Sequence, residues 1–239
     1  MVNRKQSTRQ HLSRGIEMLY EDEALLAVDK PAGLLTVSTP TEKVKTAQAV
    51  LTEYIRKGSA KSRKQIFTVH RLDQWTSGVL IFAKSQDIKD RLQDQWKDTE
   101  KTYVTVVYGH LSPKEGVISS YLAENARFVV YSTTDAKKGK LAQTGYKVVM
   151  ENDQFSLLEI ALLTGRKNQI RVQMADKGHP VVGDRKYGKE KDSYRRLALH
   201  SKSVRFSHPV SGEPVAVEAP VPAYFKELMA GKSSTLRHG

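Results

Sequence analysis

Apolar residues in this chain come mostly in short runs at a spacing of two, broken by Gly, Pro and polar clusters. That pattern predicts strands more often than helices. The first run covers residues 24–28 and the second covers 34–37, with a turn at Asp29-Lys30-Pro31-Ala32-Gly33 between them. Residues 66–69 and 79–83 form two further β-rich runs. Strict alternation over 101–109 sets Tyr103, Thr105 and Val107 on one side and Val104, Val106 and Tyr108 on the other. More strand is expected at 117–122, 128–131, 146–150 and 155–163, with a polar surface loop at 132–140. Late strands are expected at 197–200, 204–206 and 215–217, the last two joined by a turn over 208–214.

Helical spacing is rarer. Thr46 precedes Ala47, Val50, Leu51, Tyr54 and Ile55, and Gly58 follows, which predicts a capped helix. Ser85 heads a second, with Ile88, Leu92 and Trp96 four apart. A third runs from Lys167 to Lys177 and ends at Gly178, followed by a loop over 179–184. Pro222 starts a short last helix. Many neighbouring strands have short connections, so the fold class expected is α+β, with a large mixed or mainly antiparallel central sheet and flanking helices and loops. No internal repeat or interdomain linker is visible. Residues 16–230 are expected to form one catalytic domain, with a basic flexible tail over 1–15 and a second tail over 231–239.

Charge narrows the partner. The 39 Lys and Arg outnumber the 26 Asp and Glu, a formal +13, which suits a polyanion such as nucleic acid. Residues 56–64 form a basic loop that suits a phosphate backbone and equally suits a merely solvated surface. There is no cysteine, which removes disulfides, thiol catalysis and cysteine-based zinc sites and suits a reducing compartment. No apolar run is long enough to span a membrane, and the basic start is no secretory signal. The dinucleotide, P-loop and metalloprotease motifs are absent, and the seven His lack metal-ligand spacing. His110, His179, His200 and His208 are expected to make structural hydrogen bonds.

The chemistry concentrates between two apolar runs, in His70-Arg71-Leu72-Asp73-Gln74-Trp75-Thr76-Ser77-Gly78. A positioned carboxylate there can act as nucleophile or base, and it can equally be a buried structural ion pair. On these residues alone the two readings stand level.

His70-Arg71-Leu72-Asp73 with Thr76-Ser77-Gly78 resembles the signature of the RluA family of pseudouridine synthases. Three more blocks agree in order: Lys101-Thr102-Tyr103 with Gly109; Thr164-Gly165-Arg166 with Gln169-Ile170-Arg171; and Gly178-His179-Pro180 through Gly183-Asp184 with Tyr187-Gly188. Asp29-Lys30-Pro31-Ala32-Gly33, and Leu199-His200 with His208-Pro209, are weaker matches at the two ends. Together these blocks cover roughly residues 18–225.

The resemblance implies an isomerase that turns uridine into pseudouridine in structured RNA, ribosomal RNA first and tRNA second. It implies Asp73 as the catalytic aspartate, Tyr103 as the ring that stacks on the target base and Arg171 as the basic partner of the aspartate. Arg71 matches the arginine that displaces the nucleotide from its helix, and Arg166, Lys167 and Lys101 join it as RNA-binding residues. Attack at C1′, attack at C6 and removal of a sugar proton all remain open for Asp73. Neither cofactor nor metal is expected. The enzyme is expected to be a cytoplasmic monomer without membrane association, and a short form without an amino-terminal S4 domain. Gln74 and Asn168 depart from the family's usual basic residue and His, which bears on target choice. An idle RNA-binding module or RNA-folding helper is the alternative, and a two-carboxylate glycosidase is disfavoured because no second acid stands near a motif.

Overall fold

The computed structural model describes residues 10–40, 42, 44–59, 61–188 and 194–231. Residues 1–9 and 232–239, which make up most of the two expected tails, lie outside the described residues. The chain divides into two compact units, one formed by residues 1–99 and 201–220, the other by 100–200 and 221–239.

The first unit contains β1 (Glu17–Glu21), β2 (Leu25–Lys30), α1 (Ala47–Arg56), β3 (Phe67–Thr68), β4 (Ser77–Ala83) and α2 (Gln86–Asp94). Two later strands complete it: most of β10 (Leu199–Ser207), and β11 (Pro214–Glu218). The sheet order is β1-β2-β4-β10, with β3 on β4 and β11 on β10. The ladders β1–β2, β2–β4, β3–β4 and β10–β11 are antiparallel. All seven residues of β4 are buried, as expected of a strand read as an unbroken apolar run. Its outward neighbours form one apolar cluster in which Val79 and Ile81 meet Leu25, Ala27, Ile88, Leu92, Val204 and Phe206. Thr46 and Ser85 cap α1 and α2 by accepting from the N–H groups of Ala49 and Ile88. Trp96 lies beyond α2, in a short 3₁₀ turn over Trp96–Asp98.

Three expectations change here. β1 was not expected; a bulge between Met18 and Tyr20 breaks its period of two. Residues 34–37 form no strand, only a single bridge between Leu35 and Thr46. Their carbonyls are used elsewhere: those of Leu35 and Thr36 accept from Ala47 and Gln48 at the start of α1, and that of Leu34 accepts from the Lys30 ammonium. Residues 199–200 of the first late run and the run at 204–206 belong to one strand, β10, which continues through Ser201, fully buried despite its polarity, while residues 197–198 precede it.

The second unit contains β5 (Glu100–Tyr108), β6 (Glu115–Glu124), β7 (Val130–Thr133), β8 (Lys140–Glu151), β9 (Phe155–Leu162), α3 (Gln169–Asp176) and α4 (Ala223–Met229). Its strands follow the order β5-β9-β8-β6-β7, and all four ladders are antiparallel. β8 starts at Lys140 and β7 reaches Thr133, so the expected loop is shorter at both ends. Helix α3 packs on this sheet through a buried polar ladder. Gln169 Nε2 donates to Gln143 O (3.0 Å) and Thr144 Oγ1 (2.8 Å). Thr144 Oγ1 donates to Gln173 Oε1 (2.6 Å), and Gln173 Nε2 donates to Ser120 Oγ (2.9 Å) and Ala142 O (3.0 Å). Each buried amide is satisfied, so the helix is fixed in register along the strands.

Candidate active site

In the first unit, β3 and β4 flank the turn that carries Asp73. The Thr76 N–H donates to Asp73 O at 3.1 Å and closes it. Gly78 follows at φ +110, and a Cβ there would lie 2.1 Å from the backbone oxygen of Ser201. Only glycine fits both the conformation and the approach. His70 supports the turn from below: its Nε2 accepts from the Ile81 N–H (3.0 Å), and its ring stacks on Trp96 at 4.6 Å. Thr36 grips Leu72 twice, its hydroxyl donating to the carbonyl (2.9 Å) and accepting from the N–H (3.2 Å).

The residue that ties these loops together is Lys30, which the sequence showed only as part of a turn. Its side chain is fully buried, and Nζ donates to the carbonyls of Pro31 (3.0 Å), Leu34 (2.8 Å) and Gln74 (3.1 Å). The Gln74 carbonyl also accepts from the Gly33 N–H (2.8 Å), and Gln74 Nε2 returns a bond to Gly33 O (3.1 Å). Burial pushes the Lys30 ammonium down to about 7, against the pull of the Asp73 charge and then that of Asp29. One buried cation thus joins the segment 31–34 to the backbone beside Asp73. Asp73 itself is half-buried, and Arg71 and Trp75 are exposed.

The remaining candidates lie in the second unit. Tyr103 sits on β5 opposite Ile160 and is buried, a wall residue more than a surface ring. Lys101, two positions earlier, is half-buried. Arg171 projects from α3, 9% exposed, and is held in a bidentate pair by Asp184 (Nε to Oδ2 2.7 Å, Nη2 to Oδ1 2.8 Å). Its guanidinium lies 5.1 Å from the centre of the Tyr187 ring. Burial pushes the Asp184 carboxyl up. The bonds and charge of Arg171, with the N–H groups of Lys186 and Tyr187, more than reverse this and hold it below the usual range. Lys30 and Asp184 are the two residues at these sites to which sequence reasoning gave no role.

Arg166 and Lys167 are exposed on the loop before α3. Arg166 Nε donates to Leu141 O (3.0 Å), and Lys167 pairs with Glu124. Three of the four His make the hydrogen bonds expected, His110 with Asn152 O, His179 with Tyr108 O and His208 with Asp22, while His200 is buried edge-on to Phe225. In the basic loop, Arg56 Nε donates to Lys64 O (2.8 Å).

A family model described as RNA pseudouridylate synthase matches residues 24–176. The chain belongs to the RluA family of RNA pseudouridine synthases. It is 36% identical over 218 residues to a Bacillus subtilis protein named as an uncharacterized RNA pseudouridine synthase, YhcT, covering 89% of this chain and 71% of that one. It is 35% identical over 213 residues to the Escherichia coli dual-specificity RNA pseudouridine synthase RluA, covering 85% and 92%. The solved human RNA pseudouridylate synthase domain containing 1 superposes with a TM-score of 0.71 at 25% identity, over 90% of this chain and 86% of that one. Domain containing 4 gives 0.72 at 20% identity, which shows the same fold. The RluA-family chain is therefore an α+β enzyme of uridine isomerisation in RNA. Among the described residues, no helix is long and apolar enough to cross a membrane, and no cluster of His, Asp or Glu could hold a metal ion.

Proposed function

We propose that this enzyme isomerises specific uridines of structured RNA, ribosomal RNA before tRNA, with Asp73 as the catalytic carboxylate. The observation that carries the proposal is the Asp73 turn, whose backbone is gripped by Thr36, Lys30, Gly33 and Thr76. Such a grip holds a carboxylate where a reacting sugar or base can be brought to it. Isomerisation breaks the N1–C1′ bond, turns the base and rejoins it through C5. Neither redox chemistry nor an external nucleophile enters that balance. The target must leave its stack, which costs a few kcal/mol. Exposed Arg71 is suited to filling the gap, Tyr103 to backing the freed base, and Arg171 to pairing with Asp73. Lys101, Arg166 and Lys167 supply charge for the phosphates.

The two compact units work in this proposal as one catalytic domain. The family model runs across their boundary at residues 99 and 100, which supports that reading. The name of the Escherichia coli relative, a dual-specificity enzyme, supports a target range of more than one RNA. A reducing compartment such as the cytoplasm fits a chain without cysteine.

The test is release of tritium from RNA labelled at uridine C5, the hydrogen displaced when the new bond forms. Asp73→Asn is expected to abolish release while RNA binding persists. Appreciable residual turnover would remove Asp73 from the reaction. Mapping pseudouridines with and without the gene then identifies the RNA by the site that vanishes.

A further inference from the structure

The hairpin joining β6 to β7 presents an aromatic ring where folding alone would not place one. Its turn runs from Asn125 to Val129. The Asn125 N–H donates to Val129 O (3.0 Å), and the Phe128 N–H donates to Asn125 O (2.9 Å). Three-residue hairpin loops of this kind need a left-handed residue in last position, which favours Gly. Here the position is Phe128, at φ 58 and 71% exposed. Neither burial nor backbone preference accounts for a phenyl ring at that place.

The loop is also built to be rigid. Asn125 Oδ1 accepts from the N–H groups of Arg127 (3.0 Å) and Val129 (3.0 Å). Lys186 Nζ donates to Phe128 O (3.0 Å). Lys167 Nζ stands 5.6 Å from the centre of the Phe128 ring, while pairing with Glu124 at the base of the hairpin. Lys167 thus faces the ring, Lys186 holds the Phe128 carbonyl, and exposed Arg127 precedes Phe128 in the loop. Two residues on, the Val130 N–H donates to the Tyr187 hydroxyl (3.2 Å), and the Tyr187 ring packs on Arg171. The hairpin is joined in this way to the arginine assigned to the reaction.

We propose that Phe128 is a stacking platform for an unpaired RNA base beside the target nucleotide, with Lys167, Lys186 and Arg127 holding the adjoining phosphates. The inference rests on the RNA reading above. A base has an apolar face of the right size for an exposed ring, and its backbone carries the charge that three cations attract. Because the loop is already ordered, little conformational freedom is lost on binding.

The experiment uses the full chain and a short fluorescein-labelled single-stranded RNA of mixed sequence, read by anisotropy. Phe128→Ala is expected to weaken binding roughly 5- to 100-fold, the range of one lost stack. Phe128→Trp is expected to restore binding, and Phe128→Leu, apolar without a ring face, is not. The same RNA carrying 2-aminopurine is expected to lose fluorescence on the wild type and to keep it on Phe128→Ala. Removal of this exposed, left-handed side chain leaves folding intact, and Phe128→Gly is expected to hold or raise Tm. Equal binding by wild type and Phe128→Ala would overturn this inference and leave the RNA reading in place. No binding by the wild type would overturn both.

Discussion

Burial of Lys30 has a consequence for stability that can be measured. In the folded chain its ammonium titrates at about 7, against 10.5 for a free side chain. Between those values the unfolded state carries a proton that the folded state has released. Stability contributed by this group therefore rises with pH, because the unfolded state binds more protons. The cost of burying the charge is felt in full below pH 7 and has gone above pH 10.5. Taken over pH 7.5 to 9.5, the two values give a gain of about 2–3 kcal/mol from this residue alone. The acid side of the same window has a structural counterpart. Three carbonyls face Nζ, and only the ammonium has three protons to give them, so the grip on Gln74 is complete only while the group is charged.

The perturbation is Lys30→Met, which keeps length and volume and removes the charge. Urea unfolding of both proteins across pH 7.5 to 9.5 is the assay. The wild type is expected to gain stability over that range, and the variant to lose the part of the slope due to Lys30. Turnover of the variant is expected to fall, because the carbonyls of Pro31 and Leu34 lose their Lys30 donor, that of Gln74 keeps only the Gly33 N–H, and the turn beside Asp73 loosens. Direct titration of the Lys30 side chain by NMR gives a second reading that does not depend on the variant. A wild-type slope that persists unchanged in Lys30→Met, or a titration near 10.5, would refute the reasoning. The range stops short of pH 10 because Tyr20 and Tyr54, both pushed up to about 12 first by burial and then by hydrogen bonds to Asp22 and Glu21, act in the opposite sense there.

Gly78→Ala would drive a Cβ to 2.1 Å from Ser201 O at φ +110, and is expected to cost about 2–6 kcal/mol in a denaturation curve. A loss below about 1 kcal/mol would show that the two strands separate easily. Asp184→Asn removes the charge facing Arg171 and is expected to cost about 3–5 kcal/mol of stability, with turnover falling as well. Retention of both would show that Arg171 is positioned by other groups.

Strand content and the two capped helices were legible because local rules and tertiary packing agree at those places. β4 is buried along its whole length, and Thr46 and Ser85 do what their position predicts. Legibility failed where a polar residue is buried or a regular pattern is interrupted. The bulge in β1 hides its alternation, and fully buried Ser201 makes β10 look like two strands. Residues 34–37 look like strand, but their carbonyls serve α1 and Lys30. Asp73 stood out because a carboxylate among hydroxyls between apolar runs is uncommon, yet the role proposed for it rests on a resemblance carried by blocks far along the chain. Lys30 and Asp184 gave no such sign. A lysine beside proline reads as solvated turn, and an aspartate after glycine reads as loop. Only the fold reveals that both are buried.

These two residues point to a shared principle in the two units. Lys30 is a buried cation satisfied by three backbone carbonyls, and Asp184 is a buried anion satisfied by a guanidinium and two backbone N–H groups. Replacing buried charges by well-packed apolar groups is often neutral or stabilising, so stability is a weak reason for either. Their bonds, however, have direction, which apolar contacts lack. Lys30 sets the backbone of the turn next to Asp73, and Asp184 sets the plane of the Arg171 guanidinium. The family's proposed reacting groups are thus each oriented by a buried charge within their own unit. Loss of either charge should therefore lower turnover even where packing is kept.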